Sequence, residues 1–316
     1  MIDIVLLAVG LLLLFLGGEG LLRGSVALAN KMGISPLVIG LTIVAAGTSA
    51  PELIVCVAAA LEDKPGIALG NVVGSNIANV MLIIGAAGVI MPMTATRRLV
   101  LRDGMVMLAA SVLVLILALT GTVERWQGIV MVGLLIAFLV YAYWTEKYGN
   151  APSGELHASE GEQLEDLPKS TGVAVVMLLA GLGMLLGGAH LLVESATEIA
   201  RALGVSETVI GLSIVALGTS VPELATSVIA ALRGQADIAI GNVLGSNLFN
   251  TLGILGTTAV VAPVPIDPRV MQVDIWVMVG VAALMLVFMV TGWKICRREA
   301  GLLLGGYGAY VGFLFW

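Results

Sequence analysis

Charge is what this chain is short of. Only 11% of its 316 residues are Asp, Glu, Lys or Arg, against about 25% in an ordinary soluble domain. A surface with so few charges faces something other than water. Histidine and cysteine are scarcer still, at two each. Cys56 lies deep in an apolar stretch and Cys296 in a loop, without metal-type spacing, so neither a disulfide nor a thiolate metal centre is expected and both read as inert apolar thiols. The histidines stand outside every motif, which leaves no catalytic triad to assemble, and no Walker A signature is present to power a pump. An enzyme is not expected, and no cofactor is called for. The net charge of −6 argues against nucleic acid as a partner.

What the chain has in abundance is apolar windows near twenty residues, each long enough to cross the hydrocarbon core of a bilayer. They predict an all-α polytopic membrane protein with ten transmembrane helices, at roughly 3–29, 35–61, 66–92, 103–120, 123–145, 171–200, 206–232, 237–262, 274–293 and 297–316. The first reads as a span rather than a signal peptide, because no small-residue cleavage site follows it and Glu19 and Arg23 interrupt it. With the N-terminus outside, eleven Lys and Arg fall on the inner side and four (Lys64, Arg125, Arg201 and Arg269) on the outer. The positive-inside bias then puts both termini outside and the central loop in the cytoplasm of a cell-membrane protein.

An internal repeat at an offset of 171 residues organises the chain. Gly40 to Glu52 reads GLTIVAAGTSAPE and Gly211 to Glu223 reads GLSIVALGTSVPE, with ten of thirteen positions identical. Gly70 to Asn79 reads GNVVGSNIAN and Gly241 to Asn250 reads GNVLGSNLFN, with seven of ten identical. The same offset pairs Gly33 with Gly204, Pro92 with Pro263 and Asp103 with Asp274. A period this long is half a protein duplicated, not a solenoid unit. The expected division is a first five-helix repeat over 1–145, an acidic cytoplasmic linker over 146–170 and a second five-helix repeat over 171–316. Five spans per half is an odd number, so the second copy enters the membrane inverted. Inverted repeats with broken helices at matching places are the architecture of secondary transporters.

The chemistry sits at the matched breaks. Glu52 is the one strongly ionisable side chain between Ser35 and Leu61, and Glu223 the one between Thr208 and Leu232. A lone carboxylate at that depth is functional by default. Pro51 has no N–H and its ring opposes the carbonyl of Gly47, so the helix opens there. Carbonyls from Ala45 to Thr48 and the hydroxyls of Thr48 and Ser49 become oxygen ligands. Pro51 then starts a new half-helix whose first turn holds Glu52, where the helix dipole favours an ionised carboxylate. Gly218, Thr219, Ser220, Pro222 and Glu223 repeat the device. The third and eighth spans add Ser75 with Asn79 and Ser246 with Asn250, each pair four apart on one helix face. Asn71 and Asn242 read as structural amides bonding opened backbone, and the paired glycines beside them as sites of close helix approach. All these donors are oxygens, which suits Ca²⁺ and other hard ions. Two carboxylates balance one Ca²⁺ or two monovalent cations.

The paired GTSxPE and GNxxGSN motifs resemble the two alpha-repeats of the sodium/calcium exchanger group of the calcium:cation antiporter superfamily. The resemblance covers the whole chain and matches the prokaryotic members, without a large regulatory calcium-binding domain. It implies that Glu52 and Glu223 bind Ca²⁺ with the backbone at Thr48 and Thr219. It also implies flanking Na⁺ sites at Ala45, Thr48, Ser49, Ser75, Ala216, Thr219, Ser220 and Ser246. Exchange would follow from sliding of the first and sixth spans across the rest, in a protein functional as a monomer. One departure stands out: many exchangers carry Asp where this chain has Asn250, whereas calcium/proton exchangers and some bacterial members carry Asn. A Ca²⁺/H⁺ antiporter using the same glutamates is therefore the alternative to Na⁺ coupling, and a cation channel a more distant one. Glu19 and His190 occupy equivalent places in the first and sixth spans, and Arg23 aligns with Glu194. Snorkelling or packing at an aqueous cavity is expected of them ahead of proton sensing.

Overall fold

The computed structural model describes residues 2–62, 66–148, 167–204, 216–268 and 270–314. Most of the acidic linker, with Glu155, Glu160, Glu162, Glu165 and Asp166, lies outside the described residues, as do 205–215 at the start of the seventh expected span and the outer-side cations Lys64 and Arg269. The chain is mostly helical. Its principal helices are α1 (Ile2–Met32), α2 (Leu37–Thr48), α3 (Ala50–Leu61), α4 (Ile67–Ile90), α5 (Leu99–Ala118), α6 (Arg125–Thr145), α7 (Thr171–Ala202), α8 (Ala216–Gly218), α9 (Val221–Leu232), α10 (Ala236–Val261), α11 (Val270–Trp293) and α12 (Arg297–Leu314).

Among the described residues, seven of these helices are long and apolar enough to cross a membrane, and α2 with α3, bent by 44° at their junction, make an eighth candidate. The helix α9 is apolar but shorter, and α12 opens on Arg297, Arg298 and Glu299. Boundaries differ from the sequence expectation where charge is neutralised locally. The helix α5 begins at Leu99, not 103, and so takes in Arg102 beside Asp103. That pair is buried because Arg102 Nε donates to Asp103 Oδ1 at 2.7 Å and Nη2 to Oδ2 at 2.9 Å.

The helices α4 and α10 form the buried centre, while α1, α6 and α7 are far more exposed. The long helices α1 and α7 pack antiparallel on a ladder of glycines. A Cβ on Gly10 would sit 3.0 Å from the Gly188 carbonyl, one on Gly17 2.7 Å from the Leu185 amide nitrogen, and one on Gly24 2.7 Å from that of Leu178. Partner numbers fall as α1 climbs, which fixes the opposed direction. Without side chains in the way, the backbones approach as closely as small residues permit in membranes. Both helices end on a left-handed glycine, Gly33 with φ 64° and Gly204 with φ 81°, the usual helix stop that a side chain would strain.

Four two-residue strands were not expected of an all-α chain. β1 (Met93–Thr94) pairs antiparallel with β4 (Lys294–Ile295), and β2 (Thr122–Val123) with β3 (Val264–Pro265). Each sheet therefore joins the first half of the chain to the second. At such turns the backbone groups freed by the helix ends still need partners, and each half finds them in the other.

Candidate functional site

Both hinges have the same local form. Ser49, at φ −82° and ψ 8°, separates α2 from α3, and Ser220, at φ −89° and ψ 4°, stands before α9. In each case proline occupies the first turn of the downstream helix together with the glutamate. Pro51 cannot donate to Gly47, and Pro222 cannot donate to Gly218, so those carbonyls lose their i+4 helical partner, although that of Gly47 still accepts a backbone N–H at the end of α2. The carbonyl of Ala45 is not released in this way. It accepts the Ser49 amide at 3.0 Å and shares the Thr48 hydroxyl at 3.4 Å.

The hinges are interlocked. Ser49 Oγ donates to Glu223 Oε1 at 3.0 Å, and Ser220 Oγ donates to Glu52 Oε1 at 3.4 Å. Each half of the chain thus steadies the carboxylate of the other. Both glutamates are 1% exposed, and the second oxygen of each, Oε2, has no partner among the described residues. A buried carboxylate oxygen left alone is costly unless a positive charge meets it.

Some of the other predicted side chains carry the same signature. Buried Thr219 Oγ1, Ser246 Oγ, Asn79 Oδ1 and both amide atoms of Asn250 lack partners among the described residues. Gly245 packs on α2, where its Cβ would lie 2.6 Å from that of Ala45, so Ser246 follows immediately on that contact. Ser75 and Ser220 line one cavity of about 210 Å³ with Asp274, Tyr307 and Tyr310. Thr48 behaves differently from Thr219: its hydroxyl is engaged with the Val44 carbonyl at 3.1 Å and with Asn242 Oδ1 at 3.3 Å. Ala216 opens the short helix α8. Asn79 and Asn250 fall in π-helical turns, Asn79–Ile83 and Phe249–Ile254, irregularities that often mark functional sites.

Several supporting residues escaped the sequence reading. Asn76 Nδ2 meets Met278 Sδ at 3.6 Å, and Asn247 Nδ2 meets Met107 Sδ at 3.5 Å. Asn71 donates to Cys56 Sγ at 3.2 Å and Asn242 to Ser227 Oγ at 3.1 Å. Cys56 is thus a hydrogen-bond acceptor; Asn242 also donates to the backbone carbonyl of Glu223 at 3.4 Å, in keeping with the role expected of it, whereas Asn71 bonds the thiol and not the backbone. Met107 with Met278, and Cys56 with Ser227, stand 171 residues apart; the repeat offset was the signal that could have found them. The reciprocity also breaks at the asparagines. Asn79 Nδ2 donates to Asn247 Oδ1 at 3.0 Å, whereas Asn250 Nδ2 and Asn76 Oδ1, their equivalents, are both unpartnered.

The arrangement offers hard oxygen donors, buried and short of partners, between two broken helices of a multi-pass membrane protein. Donors of this kind suit a hard cation. Residues 2–144 and 173–316 match the family model of the sodium/calcium exchanger protein, and the chain belongs to that family, in its prokaryotic form. It is 36% identical over 311 residues to a putative antiporter, CaxA, of Alkalimonas amylolytica, covering 97% of each chain. It is 33% identical over 350 residues to the sodium/calcium exchanger MaX1 of Methanosarcina acetivorans, covering 100% of this chain and 99% of that one. Among solved structures, the sodium-calcium exchanger NCX_Mj superposes with a TM-score of 0.85 at 30% identity, covering 99% of this chain and 98% of the other.

Proposed function

We propose that this protein exchanges Ca²⁺ for Na⁺ across the cell membrane by alternating access. The observation that carries this reading is the crossed pair of serine-to-glutamate bonds, each leaving one buried carboxylate oxygen open. Two such carboxylates balance one Ca²⁺, and Ca²⁺ takes six to eight oxygen ligands at a site of this kind. Glu52, Glu223 and the backbone at Thr48 and Thr219 would hold Ca²⁺. Ala45, Ser49, Ser75, Ala216, Ser220 and Ser246 would serve Na⁺ with the two threonines, and Asn79 and Asn250 would complete the cage. The family relationship and the name of the MaX1 relative support the pair of ions. No cofactor is required.

The architecture we assign is ten transmembrane helices in two inverted repeats, 1–145 and 171–316, joined by a cytoplasmic linker over 146–170. Opposed packing of α1 with α7 and the cross-paired strands support inversion, and lysine and arginine placement supports outside termini. The protein would work as a monomer. A Ca²⁺/H⁺ antiporter is the second reading, favoured by Asn250: an amide there cannot balance a third positive charge as a carboxylate would.

The test is radiocalcium uptake into proteoliposomes. An outward Na⁺ gradient should drive uptake, and an outward H⁺ gradient alone should not. Uptake with protons only would establish the second reading, and flux indifferent to both gradients would indicate a channel.

A further inference from the structure

Two places related by the 171-residue offset are in opposite states. On one side α1 lies against α9, with Gly18 in contact with the side chain of Ile229. One residue on, Glu19 Oε2 accepts from Arg233 Nε at 2.8 Å, while its Oε1 accepts from Arg23 Nε at 2.7 Å. Arg233 is the residue that ends α9. This ion pair joins a helix of the first half to the hinge helix of the second.

The equivalent contact would join α7 to α3. The offset replaces Gly18 by Ala189, Ile229 by Ala58, Glu19 by His190, Arg233 by Glu62 and Arg23 by Glu194. There the helices stand apart. A cavity of about 390 Å³ separates Ile54 and Val55 of α3 from Leu186, Ala189, His190 and Val193 of α7, and it reaches Thr219 and Pro222 at the hinge. His190 Nε2 lies 3.5 Å from Glu194 of its own helix. Glu62 ends α3 with φ −91° and ψ 17°, close to the φ −94° and ψ 8° of Arg233.

We infer that Glu19 and Arg233 form a latch holding one side of the ion site shut, and that His190 and Glu62 form its counterpart when the opposite side closes. This rests on the alternating-access reading, in which the closed contact and the open cavity change places. The chemistry is conserved with the roles exchanged. In the present state a carboxylate on the long helix accepts from a guanidinium at the end of the hinge helix. In the other state an imidazole N–H on the long helix donates to a carboxylate at the end of the hinge helix. A contact made in one state alone is what biases a two-state equilibrium, since a contact common to both shifts nothing. Glu19, Arg233, His190 and Glu62 are therefore positioning residues for transport, outside the oxygen cage itself.

The test is a proximity measurement on the full chain in nanodiscs. With Cys56→Ser and Cys296→Ser as background, Glu62→Cys and His190→Cys are introduced together and the rate of joining by a bifunctional thiol reagent is followed. Adding Arg233→Gln should raise that rate roughly fivefold by releasing the closed side, while Arg233→Lys, which keeps the charge, returns it near the starting value. A lower melting temperature without a change in cross-linking would assign Arg233 a merely structural role and overturn the latch. A rate indifferent to Arg233→Gln, or equal in the Gln and Lys variants, would overturn it too. Flux measured on the unsubstituted protein in liposomes separates the two ideas. Absence of Na⁺-driven Ca²⁺ uptake there, with cross-linking in the variants responding as described, would remove the exchange reading and leave the latch standing.

Discussion

Ser49 Oγ donates to Glu223 Oε1 at 3.0 Å although 174 residues separate them. The bond ties the hinge of one half to the carboxylate of the other, so neither glutamate is placed by its own repeat alone. Hydrogen bonds to charged groups contribute about 1.5–3 kcal/mol. Ser49→Ala should therefore weaken the apparent Ca²⁺ affinity roughly tenfold, as read from the concentration dependence of uptake. Ser220→Ala should have the smaller effect, because its bond to Glu52 is longer at 3.4 Å. The reverse order would show that these bonds do not set the affinity.

Glu52→Gln and Glu223→Gln each remove one buried negative charge while keeping the shape of the side chain. Both variants should elute as folded, monodisperse protein and carry no Na⁺-driven Ca²⁺ flux. Retained exchange in either would break the two-carboxylate account.

Asn250 has both amide atoms buried and unpartnered, in the position where a third carboxylate would complete the charge. Asn250→Asp should raise the Hill coefficient for Na⁺ from about two towards about three, since every buried carboxylate requires its own countercharge. An unchanged coefficient would place the coupling ions elsewhere.

The glycine ladder predicts a contrast within one helix pair. Gly17→Val directs a side chain at the backbone of α7, whereas a Cβ at Gly183 meets nothing within 4 Å. Overpacking of this kind costs about 1–3 kcal/mol. The melting temperature of the detergent-solubilised protein should fall for Gly17→Val and stay level for Gly183→Val. Equal melting points would mean that α1 and α7 are not held by this contact.

The hinges were legible in the sequence because proline acts locally: Pro51 and Pro222 interrupt their helices whatever surrounds them, and Glu52 and Glu223 follow at once. The crossing of Ser49 and Ser220 onto the opposite glutamates was not, since it depends on how two distant segments meet. Burial of Arg102 was also hidden. A charge near a span end is read as lying outside, and only the bidentate contact with Asp103 allows α5 to begin earlier. Strands of two residues show no alternation to detect. The sulfur acceptors Met107 and Met278 look like ordinary apolar side chains until the repeat offset pairs them.

The two small sheets set the order in which the protein can be completed. Thr94 pairs with Lys294 and Val123 with Val264, so strands made early in synthesis wait for partners that emerge near the end. Until then the first half carries unmatched backbone edges at its turns. Closure belongs to β3 and β4 of the second half, and a chain that stops before Val264 leaves both seams undone.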